Sequence, residues 1–100
     1  MLKKTDVFIR QYTRQDEDAL FELIMREGGG WEGYCDAQNK PKYQKALVGS
    51  VTYLIFENDL LCGFVRCRSD DGLGIYVYDL LVDKDYRGKE YGRLLLEQVC

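Results

Sequence analysis

The sequence lacks histidine, has one proline and contains neither a C-x-x-C pair nor an apolar run of the roughly 20 residues that span a bilayer. Without histidine, a general base has to be a carboxylate, a tyrosine, or a water held by one of these or by the backbone. The same lack argues against a zinc site, since four irregularly spaced cysteines are the only soft ligands. We therefore expect no bound metal and four free thiols (Cys35, Cys62, Cys67, Cys100).

The start of the chain, MLKKTDVFIRQY, has no apolar core of the length that a signal peptide needs. Together with the free thiols, which suit a reducing compartment, this predicts a cytoplasmic protein without a membrane partner. The 100 residues are 46% hydrophobic and carry a net charge of −3. That size and composition predict a single globular domain over residues 1–100, and the charge argues against a nucleic-acid partner.

The hydrophobic periodicity predicts an α+β fold in the order β-α-α-β-β-β-α with a mostly antiparallel sheet. Helical spacing of apolar residues follows Asp16 and ends at Gly28, and the apolar run DLLV predicts a strand end that is buried on both faces. A glycine-rich segment that carries Trp31 and Tyr34 predicts an irregular, mobile loop. The predicted elements are strands over residues 7–13, 51–56, 60–68 and 75–82, helices over 16–27 and 41–48, and a last helix whose apolar stripe begins at Leu94.

A basic, glycine-containing turn precedes the last helix, with the sequence DYRGKEYGRLLLEQVC. Helix N-termini present unpaired N–H groups and partial positive charge, glycines let an anion approach the backbone, and Arg87, Lys89 and Arg93 add charge there. The spacing is neither that of a P-loop nor that of a dinucleotide fingerprint. The turn therefore predicts either a pyrophosphate cradle or an ordinary basic turn before a surface helix.

This stretch resembles the acetyl-CoA signature of the GNAT family of N-acetyltransferases, Q/R-x-x-G-x-G/A directly after the fourth strand. In this sequence the signature is Arg87-Gly88-Lys89-Glu90-Tyr91-Gly92, and the predicted element order is also that of the family. The resemblance implies a GNAT-like acyl-CoA N-acyltransferase fold and acetyl-CoA as cosubstrate. It implies acetyl transfer to a primary amine of a small molecule or peptide.

Site residues follow from the resemblance by position. The end of the fourth strand (Leu80, Leu81, Val82) is implied to bind the pantetheine arm. The loop amides are implied to bind the pyrophosphate. Tyr76 and Asp79 are the candidate catalytic residues, with Tyr78 nearby. The loop positions are Arg87, Gly88, Lys89, Glu90, Tyr91, Gly92 and Arg93.

Each assignment has a structural alternative. Tyr76 and Tyr78 alternate with Val77 and could pack on one face of the sheet, while Asp79 could be paired with a cation. Trp31 and Tyr34 lie in the segment that borders the acceptor site in the family, or they cover the core.

The sequence departs from the family pattern at Glu90, which stands where the signature has glycine. If that position needs a positive φ, the affinity for CoA should fall; if the side chain points outward, the substitution is harmless. Family members also continue with a fifth strand, a fourth helix and two more strands, so we expect a truncated domain. The edge of the fourth strand would then be exposed and favour self-association.

Three hypotheses about function follow. The first is an acetyl-CoA-dependent N-acetyltransferase. The second is a truncated, non-catalytic module of the same fold that acts through CoA or protein binding. The third is an unrelated α+β binding protein whose loop resembles the signature by chance.

Overall fold

The computed structural model describes residues 5–100, which form one antiparallel sheet in the order β1-β2-β3-β4 with helices on both faces. The predicted order of elements and the α+β class are confirmed. The strands are β1 (Val7–Gln11), β2 (Val51–Glu57), β3 (Leu60–Ser69) and β4 (Ile75–Val82), and the helices are α1 (Glu17–Glu27), α2 (Lys40–Gly49) and α3 (Tyr91–Val99). Short 3-10 turns at Arg14–Asp16, Trp31–Cys35 and Lys84–Tyr86 lie between them.

The two faces of the sheet carry separate apolar cores. One face packs against α1 and α2; its buried residues include Leu20, Leu23, Ile24, Leu47, Leu54, Phe64 and Leu81. The other face packs against α3; its buried residues are Ile55, Cys62, Val65, Cys67, Tyr91, Leu95 and Val99. Successive strand residues point to opposite faces, so this division sets where each β4 side chain lies.

An extra residue interrupts the pairing of β4 with β3. Asp79 pairs with Arg66 and Val77 pairs with Cys67, so Tyr78 has no partner of its own opposite it. Regular alternation would place Val77 and Asp79 on the same face. The bulge instead leaves Val77 packed on the α3 side and turns Asp79 toward Tyr43 of α2.

Four local predictions need correction. The first strand ends at Gln11, and the chain then turns through Arg14–Asp16 before α1 begins. The glycine-rich segment is not irregular throughout, because Trp31–Cys35 forms a 3-10 helix. The last helix begins at Tyr91, whose buried ring starts the apolar stripe one turn before Leu94. The end of β4 is not buried on both faces as predicted, because Leu80 is 36% exposed.

The four cysteines are unpaired, and Cys62 and Cys67 are buried in the α3-side core. A second bulge, where β3 carries Cys62 as an extra residue opposite β2, brings the backbone of β3 close to the end of β4. A Cβ atom at Gly63 would lie 2.7 Å from the carbonyl oxygen of Leu81 and 3.3 Å from Cγ2 of Ile55. Only glycine fits this position without moving β4.

Gly63→Ala is therefore expected to lower the free energy of unfolding by about 2 kcal/mol, because the added methyl group collides with backbone rather than with a flexible side chain. Gly49→Ala is the matched control, since the nearest atom to a Cβ there is a guanidinium nitrogen of Arg68 at 4.0 Å. Urea denaturation followed by circular dichroism measures both. Equal stability of the two variants would contradict the close approach of β3 and β4.

Candidate active site

A cavity of about 800 Å³ opens between α2, the segment that follows α1, and β4. Four aromatic residues line it, together with two charged residues. The lining residues are Gly29, Gly30, Trp31, Gly33, Tyr34, Asn39, Lys42, Tyr43, Ala46, Tyr78, Asp79 and Leu80. We call this space the aromatic cavity. Its volume is in the range of small-molecule sites.

Trp31 and Tyr34 both line this cavity and pack against the protein interior. The ring of Tyr34 stacks on Tyr43 at 4.3 Å between centroids. Trp31 meets Tyr34 edge to face at 6.0 Å and Phe64 of the core at 6.3 Å. Trp31 therefore covers the core as well as lining the cavity, and its place beside an acceptor stays a prediction.

Asp79 lies at the base of the cavity and is 6% exposed. Its Oδ2 atom accepts hydrogen bonds from Nε of Arg66 at 2.6 Å and from the hydroxyl of Tyr43 at 2.8 Å. Neither bond uses Oδ1, which accepts no hydrogen bond from the described residues 5–100. A carboxylate held in this way has one oxygen fixed by the protein and one available to a ligand.

The partners of Asp79 are held in one protonation state each. Burial and the adjacent carboxylate raise the pKa of Tyr43 far above its usual range, so its hydroxyl stays protonated and donates. Burial lowers the pKa of Arg66, but the hydrogen bond and charge of Asp79 outweigh burial and the pKa is raised. Arg66 also lies over the ring of Tyr78 at 4.9 Å, which ties the bulged residue to the same cluster.

Tyr76 lies apart from this cluster. Its side chain is 67% exposed, its ring packs on Tyr78 at 4.9 Å, and it does not line the aromatic cavity. The structure therefore brings Asp79 and Tyr78 together at the cavity and leaves Tyr76 beside them on the outer part of β4.

The signature loop leads into the N-terminus of α3 beside the end of β4. The first bond of the helical ladder runs from the amide of Leu94 to the carbonyl of Glu90 at 3.0 Å. The amides of Tyr91, Gly92 and Arg93 precede that bond and point out of the helix end. This arrangement provides N–H donors and the positive end of the helix dipole at the loop.

Gly92 faces the end of β4. A Cβ atom there would lie 3.8 Å from Cγ2 of Val82 and 4.0 Å from Cδ2 of Leu80. Because Gly92 has no side chain, the first turn of α3 and its free amides lie beside the last residues of β4; we call this place the α3 N-terminal site. Leu81 points the other way, into the core under α1 and α2.

Glu90, which stands where the family signature has glycine, has the positive φ that was considered for this position above. Its φ is +66° and its ψ is +20°, in the left-handed region that non-glycine residues enter at a cost of roughly 1–2 kcal/mol. Its side chain is exposed and pairs with Arg93 at 3.0 Å. Both conditions therefore hold at once: the position needs a positive φ, and the side chain points outward.

The three basic residues of the loop are each engaged by a carboxylate. Arg87 pairs with Glu27 at the end of α1 (2.6 Å) and also donates to the carbonyl of Val82 (2.9 Å). Lys89 pairs with Glu57 at the end of β2 (2.9 Å). Arg93 pairs with Glu90 and with Glu97 (2.6 Å). These carboxylates offset the positive charge of the loop, so an incoming anion relies on the backbone amides.

Glu57, at the end of β2, also holds the loop in place. The buried Tyr91 donates a hydrogen bond from its hydroxyl to Glu57, and together with Lys89 it holds the pKa of that carboxyl below its usual range. Burial and the same bond raise the pKa of Tyr91 to about 12. The contact fixes the first turn of α3 to the end of β2.

Sequence reasoning missed Tyr43, Arg66, Glu27 and Glu57. A signal existed for Arg66, because it lies in the predicted strand 60–68, which precedes the predicted strand 75–82 that carries Asp79 in a mostly antiparallel sheet. The contacts of Glu27 and Glu57 join residues 60 and 32 positions apart and follow no local pattern. Over residues 5–100 we find no group of acidic, cysteine or histidine side chains placed to hold a metal ion. Within the same range, no helix is long and apolar enough to cross a membrane.

Comparison with known proteins gives relatives of one kind. The model of the acetyltransferase (GNAT) family matches residues 10–100, whereas the curated proteins include no significant match. Among solved structures, PaiA N-acetyltransferase from Thermoplasma acidophilum in complex with coenzyme A has a TM-score of 0.77 and 17% identity, over 94% of this chain and 69% of its own.

Two further structures are similar at low identity. A GNAT acetyltransferase from Staphylococcus aureus has a TM-score of 0.74 and 21% identity, over 94% of this chain and 64% of its own. Arabidopsis thaliana Naa50, in complex with a bisubstrate analogue, has a TM-score of 0.68 and 24% identity, over 93% of this chain and 61% of its own. The chain thus spans roughly two thirds of the length of these structures. The family match covers nearly all of its residues, and the chain belongs to the acetyltransferase (GNAT) family.

Proposed function

We propose that the protein is an acetyl-CoA-dependent N-acetyltransferase that acts on a primary amine. The observation that carries the proposal is the placement of two different sites on either side of one strand end. The aromatic cavity opens on the α2 side of β4, and the free amides of the α3 N-terminal site lie on its α3 side. A cofactor held by those amides and an amine in the cavity would meet at the end of β4.

The residues of the α3 N-terminal site fit coenzyme A. Gly88, with φ +84°, and Gly92 place no side chain beside the amides that open α3, and those amides can bind a pyrophosphate. Within residues 5–100, β4 pairs with β3 alone, so its other edge presents backbone N–H and C=O groups that can bind the pantetheine arm at Leu80 to Val82. When bound, acetyl-CoA supplies the activated acetyl group.

We assign the amine-binding role to Asp79. Its available Oδ1 can accept a hydrogen bond from the amine, while Arg66 and Tyr43 fix the orientation of the carboxylate through Oδ2. The cavity is open to water, so a water at Oδ1 can carry away the proton that the amine loses. Tyr76 stays a prediction as a catalytic residue, with an exposed ring outside the cavity.

The second candidate function is a non-catalytic module that binds CoA weakly and acts through protein contacts. Two observations favour it: each loop cation is paired with a carboxylate, and Glu90 adds a negative charge next to the phosphate position. The four free thiols suit a reducing compartment, and we place the protein in the cytoplasm under either function.

Calorimetric titration with acetyl-CoA and with CoA separates these functions. We expect micromolar binding that Gly92→Glu abolishes, because that side chain would place bulk and negative charge beside the amides that open α3, next to Leu80 and Val82. Gln98→Glu, which adds the same charge at an exposed position of α3, is the matched control and should bind normally. No heat at millimolar ligand would refute the cofactor assignment.

Glu90→Gly should raise the affinity for CoA about tenfold, because it removes a carboxylate from the loop that would bind the phosphates. Glu97→Gln also removes one carboxylate partner of Arg93, but it leaves the Glu90 pair and the loop backbone unchanged, so it should raise affinity no more than about twofold. The same titration measures both variants. A decrease in affinity for Glu90→Gly would show that the carboxylate contributes to binding.

Self-association through β4 remains a prediction. Ile75, Tyr76 and Tyr78 are 43–67% exposed on this strand, whose outer edge has no partner strand within the described part of the chain. Sedimentation velocity of the 100-residue chain should show a mass that rises with concentration. Tyr76→Lys, which places a charge at the edge, should shift it toward the monomer; a monomer at every concentration would contradict the prediction.

A further inference from the structure

The local charge of the aromatic cavity differs from that of the whole chain. Although the chain carries a net charge of −3, the charged residues that line the cavity are Lys42 and Asp79. Asp79 is matched by Arg66 at 2.6 Å, whereas Lys42 forms no ion pair with any of residues 5–100. The cavity therefore offers one unmatched positive charge and no unmatched negative charge. A polyamine would find no second carboxylate there.

Lys42 belongs to the side of α2 that faces the cavity. Asn39, Lys42, Tyr43 and Ala46 all line the cavity, and their spacing of three and four residues is that of one helical stripe. Lys45, one position before Ala46, lies off that stripe and does not line the cavity. Lys42 thus borders the same space as the aromatic rings.

The walls of the cavity suit a flat apolar group. Tyr34 and Tyr78 are 37% and 49% exposed, so their rings are only partly covered by the protein. Partly covered rings offer stacking and edge contacts to an aromatic ligand. The charged groups that line the cavity beside these rings are those of Asp79 and Lys42.

We propose that the acceptor is a small arylalkyl amine that carries a carboxylate, and that Lys42 determines this specificity by binding the carboxylate. The inference rests on the proposed acetyl transfer for the role of the amine. In this arrangement Asp79 holds the amine through Oδ1, the aromatic walls contact the ring, and Lys42 binds the acidic group. Cationic acceptors such as polyamines are excluded by the same charges.

The fluorescence of Trp31 tests the proposal without the cofactor, because Trp31 is the single tryptophan of the chain and lines the cavity. The probes form matched sets: phenethylamine, the same amine with a carboxylate on the ring (4-(2-aminoethyl)benzoate), the same amine with a carboxylate beside nitrogen (phenylalanine), and spermidine. We expect one carboxylated probe to bind about two- to fivefold more tightly than phenethylamine, as an exposed ion pair would give. Spermidine should not bind.

Two variants separate recognition by Lys42 from a general effect of charge. Lys42→Glu should remove the preference for the carboxylated probe and leave phenethylamine bound at least as well. Lys45→Glu makes the same change on the same helix outside the cavity and should behave as the unmodified protein. Circular dichroism checks that both variants fold.

The outcomes distinguish this inference from the proposed function. Tight binding of a carboxylated probe without release of thiol from acetyl-CoA would support the cavity assignment and refute acetyl transfer. Acetylation of spermidine or phenethylamine in preference to the carboxylated amines would support acetyl transfer and overturn the specificity. Absence of binding by every probe, or an unchanged preference in Lys42→Glu, would also overturn it.

Discussion

The extra residue at Tyr78 is the constraint on which the two-sided site depends. Because it reverses the alternation of β4, Val77 packs toward α3 while Asp79 turns toward α2 and finds Arg66 and Tyr43. With regular alternation, the carboxylate would have shared a face with Val77, in the apolar layer under α3. A buried carboxylate without a partner is strongly destabilising, so the bulge and the Arg66 pair depend on each other.

Electrostatic compensation is the second theme of the structure. The loop before α3 has the sequence of a strongly basic segment, but each of its cations is matched by a carboxylate from α1, β2 or α3. Such exposed pairs contribute little to the free energy of unfolding. They nevertheless orient the side chains and lower the positive electrostatic potential that would attract a phosphate to the loop. The groups that remain for anion binding are the amides at the N-terminus of α3. Their N–H bonds point in a fixed direction, and no carboxylate neutralises them.

The sequence was informative where the physics is local. Periodicity predicted every helix and strand, since apolar residues at spacings of two or of three and four must face a core. It could not predict the bulge, because a strand with one extra residue has no characteristic amino-acid composition that distinguishes it from a regular strand. It also missed the partners of Arg87 and Lys89, which the fold alone brings together. Glu90 was predicted in part. The glycine of the family signature identified the position as unusual, but only the structure shows that its φ is positive.

The packing of Trp31 on Phe64 and of Tyr34 on Tyr43 has a consequence for how this protein could change. The same rings form the wall of a ligand space and the lid of an apolar core. A substitution of one of these rings that changes the shape of the cavity therefore also lowers the stability of the core, so a single mutation has both effects. Variation at these positions has to follow stabilising changes elsewhere, so divergence of the pocket would proceed first through residues such as Lys42 and Ala46, which border it without supporting the core.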